Sequence, residues 1–245
     1  MKTPKTSMCN ICSKLLVCLL LIVAPGCFTK RIHVTSTAYA DRQAIPHGFA
    51  RGTSFAIAQS SHEGEEAQHP ELLDKELSQK ASILLKERGY RIKKLKSADF
   101  CLMLDYGSSC ERKTTESLRY IPGKTVGTTT TAIDCCGHYH LSHQATEIPG
   151  KFVFVPEEYI DCTKFLSCTV YPAQEFASAQ KQLPGQLWRA ESWTVDQNTN
   201  VRDYLDYLLI QNIDLLGVNT QTTCQTTMYA DDERVENLRK NYEGY

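Results

Sequence analysis

The sequence predicts an α+β domain: a mostly antiparallel sheet with two main helices packed on one face, after a cleaved signal peptide. Three observations carry this. Residues 70–88 and 201–216 repeat apolar side chains at three- and four-residue spacing. Several shorter runs alternate apolar and polar residues as strands do. The first 26 residues have the charged start, short apolar middle and small-residue end of an export leader. The order is strand, strand, helix, strands, helix, tail, which suits helices laid on an antiparallel sheet.

Residues 32–38 read as a first strand inside a polar stretch, 27–44, that serves as a tether before a single domain spanning 45–245. In 52–58, Ser54, Ala56 and Ala58 face one side and Phe55 and Ile57 the other. The helix at 70–88 opens on Pro70 and Glu71, shows Leu73, Leu77, Ala81 and Leu84 on one face, and stops at Gly89. Phe100, Leu102, Leu104 and Tyr106 then alternate along a strand. The threonine-rich run 126–133 has β propensity with little to bury, and a turn would pair it with 136–142. Residues 152–155 and 167–171 read as two short strands, and 186–195, with Trp188 and Trp193, as a core strand. The second helix takes Asn200 as its cap, buries Leu205, Leu208, Leu209, Asn212, Ile213 and Leu216, and ends at Gly217. The polar tail forms a short helix.

Composition marks a folded chain, with 22% charged and 42% hydrophobic residues. The net charge is −1, and loss of the leader lysines makes the mature part more acidic. Arg91 to Lys96 is only a local basic cluster, so nucleic acid is not expected as a partner.

In the leader, Lys2, Lys5 and Lys14 precede a nine-residue apolar run, Leu15 to Val23. A bilayer-spanning helix needs about 20 residues, so this run has the length of a signal core. Gly26-Cys27 resembles the end of a bacterial lipoprotein signal, in which the cysteine is acylated and becomes the new N-terminus. That resemblance implies a cleaved leader at 1–26, a lipid on Cys27 and attachment to a membrane. Phe28, where inner-membrane lipoproteins often carry Asp, implies the outer membrane. A competing cut follows Ala38-Tyr39-Ala40.

Once the leader cysteines Cys9, Cys12 and Cys18 and the lipid site Cys27 are set aside, Cys101, Cys110, Cys135, Cys136, Cys162, Cys168 and Cys224 remain. In an exported protein these are disulfide candidates first. Local spacing favours Cys101–Cys110 and Cys162–Cys168, and an odd count leaves one thiol over.

Short motifs add a second resemblance. Thr53-Ser54-Phe55-Ala56-Ile57, the helix exit Glu87-Arg88-Gly89-Tyr90, Ala98-Asp99-Phe100 and Leu187-Trp188-Arg189-Ala190 are similar to the layout of a group of small bacterial envelope lipoproteins known mainly as a domain of unknown function. It covers about residues 50–220, apart from the cysteine-bearing middle. It implies a lipid-anchored, non-enzymatic envelope protein that binds or scaffolds other envelope components, with no cofactor.

Two chemical alternatives stand beside it. On a strand, Cys136, His138 and His140 face one way and could hold Zn²⁺ or copper with a fourth ligand. A thiolate beside an imidazole would make a thiol-dependent enzyme. The sequence holds no nucleophile elbow, Walker loop or dinucleotide turn. Tyr159, Phe165, Tyr171 and Trp188 are aromatic residues for a core or a binding face.

Overall fold

In a computed structural model the structure describes residues 30–59, 70–133, 136, 139–179 and 184–243. The strands are β1 (Arg31–Ala40), β2 (Ser54–Gln59), β3 (Arg91–Ile92), β4 (Phe100–Ile121), β5 (Lys124–Ile133), β6 (Tyr139–Ile148), β7 (Lys151–Pro172), β8 (Trp188–Asp196) and β9 (Cys224–Tyr229). The helices are α1 (Pro70–Glu87), α2 (Ala173–Ser178), α3 (Arg202–Asp214) and α4 (Glu233–Glu243). Seven strands form one sheet in the order β3-β2-β4-β7-β8-β1-β9, and β5-β6 form a separate two-stranded sheet.

This corrects the expected mostly antiparallel sheet with helices on one face. The large sheet is mixed, because β2 runs parallel to both β3 and β4. The cause is the crossover: α1 carries the chain from β2 back to β3 in the same direction, as parallel strands require. Helical elements also occur on both faces. The main core holds Phe55, Leu102, Leu104, Leu166 and Val170 with residues of α1 and α3. The opposite face, at the β2–β4 edge, has its own small core of Ala56, Ala98 and Ala173, supplied by α2 and the 3-10 turn at Leu95–Ser97.

The helices follow their sequence patterns. Leu77, Ala81 and Leu85 of α1 are buried, and Gly89 ends it at φ 85°. α3 is buried all round, since α1 and α4 cover the side turned away from β1, β7 and β8. Its polar groups therefore need partners. Tyr207 donates to the Ala230 carbonyl at 3.0 Å, Gln211 to Ser36 at 3.1 Å and Asn212 to the Leu166 carbonyl at 2.9 Å. Asp206 accepts from Lys80 and Arg239, both at 2.7 Å, and Lys80 also donates to Glu76 at 2.7 Å. Asn200 accepts the Arg202 amide at 3.1 Å at the head of α3.

β1 is paired on both edges, by β8 and β9. It lies inside the stretch expected as a tether and buries Val34, Ser36 and Ala38 completely. A cut after Ala40 would remove this strand from the core. β9 was not visible as a strand in the sequence, since its buried face among alternating polar residues is Met228 alone.

β4 and β7 each run for 22 residues, far longer than the short strands expected. Of each, only the part nearest the core is buried.

Candidate functional site

The excess length of β4 and β7 makes a two-stranded ribbon that leaves the sheet. β8 pairs β7 only as far as Cys162↔Asp196, and β2 pairs β4 only from Phe100 to Leu104. Beyond that, among the described strands, β4 and β7 pair with each other alone, through eleven further residue pairs from Glu111↔Asp161 to Ile121↔Lys151. At about 3.3 Å per residue this is ~35 Å of ribbon. Pro122-Gly123 and Pro149-Gly150 interrupt the ladder, and β5 and β6 continue it in phase from Lys124↔Ile148 to Ile133↔Tyr139.

The root of the ribbon is stapled. Cys110 and Cys162 form a disulfide with their Cα atoms 4.0 Å apart. The expected local pairings, Cys101–Cys110 and Cys162–Cys168, are corrected by this bridge. Each of those pairs sits along one strand, where nine or six residues of extended chain span about 30 Å or 20 Å, far beyond the reach of a disulfide. Directly opposite positions on neighbouring strands meet instead.

Beside the staple lies a partly buried ionic cluster. Lys164, fully buried, contacts the Asp196 carboxylate. The Tyr204 hydroxyl donates to Asp196, and Lys30 reaches Tyr204 at 2.8 Å and Asp196 at 3.4 Å. Burial pushes the Asp196 carboxyl up, but the hydrogen bonds from Lys164 and Tyr204 outweigh it and hold the carboxyl below its usual range. Burial, with the Asp196 carboxylate second, raises the Tyr204 hydroxyl. The cluster ties the first described residue, Lys30, to the end of the sheet from which the ribbon emerges.

Along the ribbon, residues paired directly across share a face. Leu118 stands opposite Phe154 and Tyr120 opposite Phe152, with the latter rings 5.0 Å apart. These four side chains are 57%, 69%, 53% and 66% exposed. The ion pairs on the ribbon, Lys113–Asp161 at 2.9 Å, Arg119–Glu157 at 3.3 Å and Arg112–Glu158 at 3.6 Å, are largely open to water and contribute little.

The other sequence candidates are scattered. Cys136 is exposed at the far end of the ribbon, between β5 and β6. Cys27, Cys135, His138 and the side chain of His140 lie outside the described residues, so the proposed metal trio and lipid site do too. Cys101 and Cys168 are buried free thiols, and Cys224 is a half-buried one. Burial pushes Cys101 up to about 11 and Cys168 up to about 12, so neither is a thiolate at neutral pH. Trp188 and Tyr171 are core residues, whereas Phe165 lies on the surface over Gly107. The family-like motifs act as clamps. Asp99 accepts from the Ser54 amide at 2.8 Å and hydroxyl at 2.6 Å, joining β2 to β4, and Trp188 donates to the Val218 carbonyl at 3.1 Å.

No family model matches this chain, and no curated protein does. Among solved structures it is similar to a PDZ domain protein from Parabacteroides distasonis ATCC 8503, at 9% identity and a TM-score of 0.40, over 81% of this chain and 39% of that one. It is also similar to the PelC dodecamer from Paraburkholderia phytofirmans, at 10% identity and a TM-score of 0.34, over 75% of this chain and 99% of that one. The chain thus spans well under half the length of the PDZ domain protein.

Proposed function

We propose that this chain is a lipid-anchored, non-enzymatic envelope protein, held at the outer membrane through Cys27, which contacts other envelope components through its ribbon. One observation carries the reading: an arm with four exposed apolar side chains leaves the domain at the same end as Lys30, the first described residue. β1 and β7 both enter the sheet from that end, as their shared antiparallel partner β8 requires. Cys27 is three residues before Lys30, within about 10 Å of chain. The domain supplies the rigid base and the ribbon supplies the contact surface.

The test is metabolic acyl labelling of the full chain. The wild type takes up label and sediments with outer membranes, and Cys27→Ser loses the label. Label persisting on the serine variant would refute the anchor.

A further inference from the structure

The ribbon leaves two long strand edges that no described strand covers. Each presents a row of backbone N–H and C=O groups, a template for another strand. An isolated two-stranded hairpin is marginal in water, so an arm of this length calls for a partner.

Charge selects the partner. The β4–β5 strand carries Arg112, Lys113, Arg119 and Lys124 against Glu111 and Glu116. The β6–β7 strand carries Glu147, Glu157, Glu158 and Asp161 against Lys151. One edge is net basic and the other net acidic. The basic edge of one copy fits the acidic edge of the next, antiparallel, as β4 fits β7 within the chain. Joining like edges would set like charges side by side. Head-to-tail joining removes every free edge only when it closes into a ring.

The faces select the surroundings. The in-phase register places Leu118, Tyr120, Val126, Ile148, Phe152 and Phe154 on one face. They occupy residues 118–126 and their partners, about 27 Å of strand, close to the ~25 Å apolar band of a membrane barrel. Lys124 stands near the far end of this stretch, where a lysine head reaches an interface. Arg119, Thr125, Glu147 and Lys151 lie on the other face. No described helix is long and apolar enough to cross a membrane. A bilayer excludes open strand edges but accepts a closed barrel.

We infer that several copies of this chain join their ribbons edge to edge, β4–β5 of one beside β6–β7 of the next, into one closed β-barrel that spans the bilayer holding their anchors. The inference names the occupant of the ribbon surface and rests on reading that surface as a contact site. The barrel is a pore whose lumen is lined by the charged face.

The experiment uses the full chain, extracted in detergent and reconstituted into vesicles of phosphatidylethanolamine and phosphatidylglycerol. The expected mass is a multiple of that of the processed, acylated chain, and the vesicles release trapped dye. Reversing the basic edge (R112E, K113E and R119E together) drops the mass to one chain and abolishes release. Reversing the acidic edge (E157K, E158K and D161K) does the same. Mixing the two reversed chains restores both ring and release, because each now offers the edge the other lacks. An intact Cys110–Cys162 bridge and unchanged far-ultraviolet circular dichroism report folding. Y120D with F152D keeps the ring in detergent and loses release. A single-chain mass for the wild type, a ring indifferent to both reversals, or a ring without release overturns the inference. If the wild-type chain is monomeric yet C27S still binds vesicles through its ribbon, the barrel fails and the ribbon as a contact surface stands. If the wild-type chain is monomeric and C27S binds neither vesicles nor outer-membrane proteins, both fail.

Discussion

Trp188 and Phe154 are both aromatic residues on strands of this chain, and they have opposite surroundings. Trp188 is 1% exposed, beneath the helices, with its indole N–H on the Val218 carbonyl. Phe154 is 69% exposed, on a ribbon that no described element covers. The same side-chain chemistry stabilises the fold in one place and is left over in the other. A leftover of that size, repeated in Leu118, Tyr120 and Phe152, is the surface on which the proposed contact rests. The domain buries its apolar side chains within itself, while the ribbon leaves these four on its surface.

The contrast can be broken from the domain side first. Asp206→Ala leaves Lys80 and Arg239 without their shared carboxylate, Lys80 being buried. It should destabilise the chain by about 3–5 kcal/mol in denaturant unfolding. The staple between the regions comes next. Replacing Cys110 and Cys162 together by Ala opens a bridge spanning 52 residues of sequence. Stability should fall by about 2–4 kcal/mol, with hydrogen exchange accelerated in the ribbon ahead of the sheet. At the ribbon's base, a Cβ on Gly107 would stand 2.9 Å from the Phe165 ring. Gly107→Ala should cost about 1 kcal/mol, and Phe165→Ala in the same chain should remove most of that penalty in a double-mutant cycle.

Acid sharpens the comparison. Asp196 has a folded-state pKa below its unfolded value. Its contribution is therefore complete above the ordinary carboxylate range and is lost as pH falls through the lowered value. Unfolding measured from pH 7 downward should show this loss, and Tyr204→Phe, which removes one of the hydrogen bonds holding the carboxylate, should make it shallower. The smallest effect belongs to the ribbon. Phe154→Ser should leave the stability of the isolated chain within about 0.5 kcal/mol, since the ring has little to lose on exposure.

Much of the domain was readable from residue order. The apolar spacing of α1 and α3, with stops at Gly89 and Gly217, reports burial directly, and both glycines take positive φ. The alternation of Ser54 to Ala58 likewise reports two faces. The mixed sheet was hidden because strand direction depends on connections, and the two-residue β3 leaves almost no pattern. The ribbon was hidden for a deeper reason. Residues 111–117 are charged or hydroxylated on both faces, so nothing in their periodicity separates a strand from a loop. The apolar pieces at either end of β7 therefore read as two strands. The disulfide was missed with it, because Cys110 and Cys162 become neighbours only when both strands are known to run on. Of the candidate site, the exposed aromatics near 152–155 were visible as residues, but their lack of a covering layer was not.

The placement of β1 also governs how the molecule bears load. Tension applied at Lys30 would pull this strand along its own axis, between β8 and β9, with ladder bonds perpendicular to the pull on both sides. Those bonds are sheared together instead of being peeled one at a time. A pull on this end thus meets the arrangement that yields last.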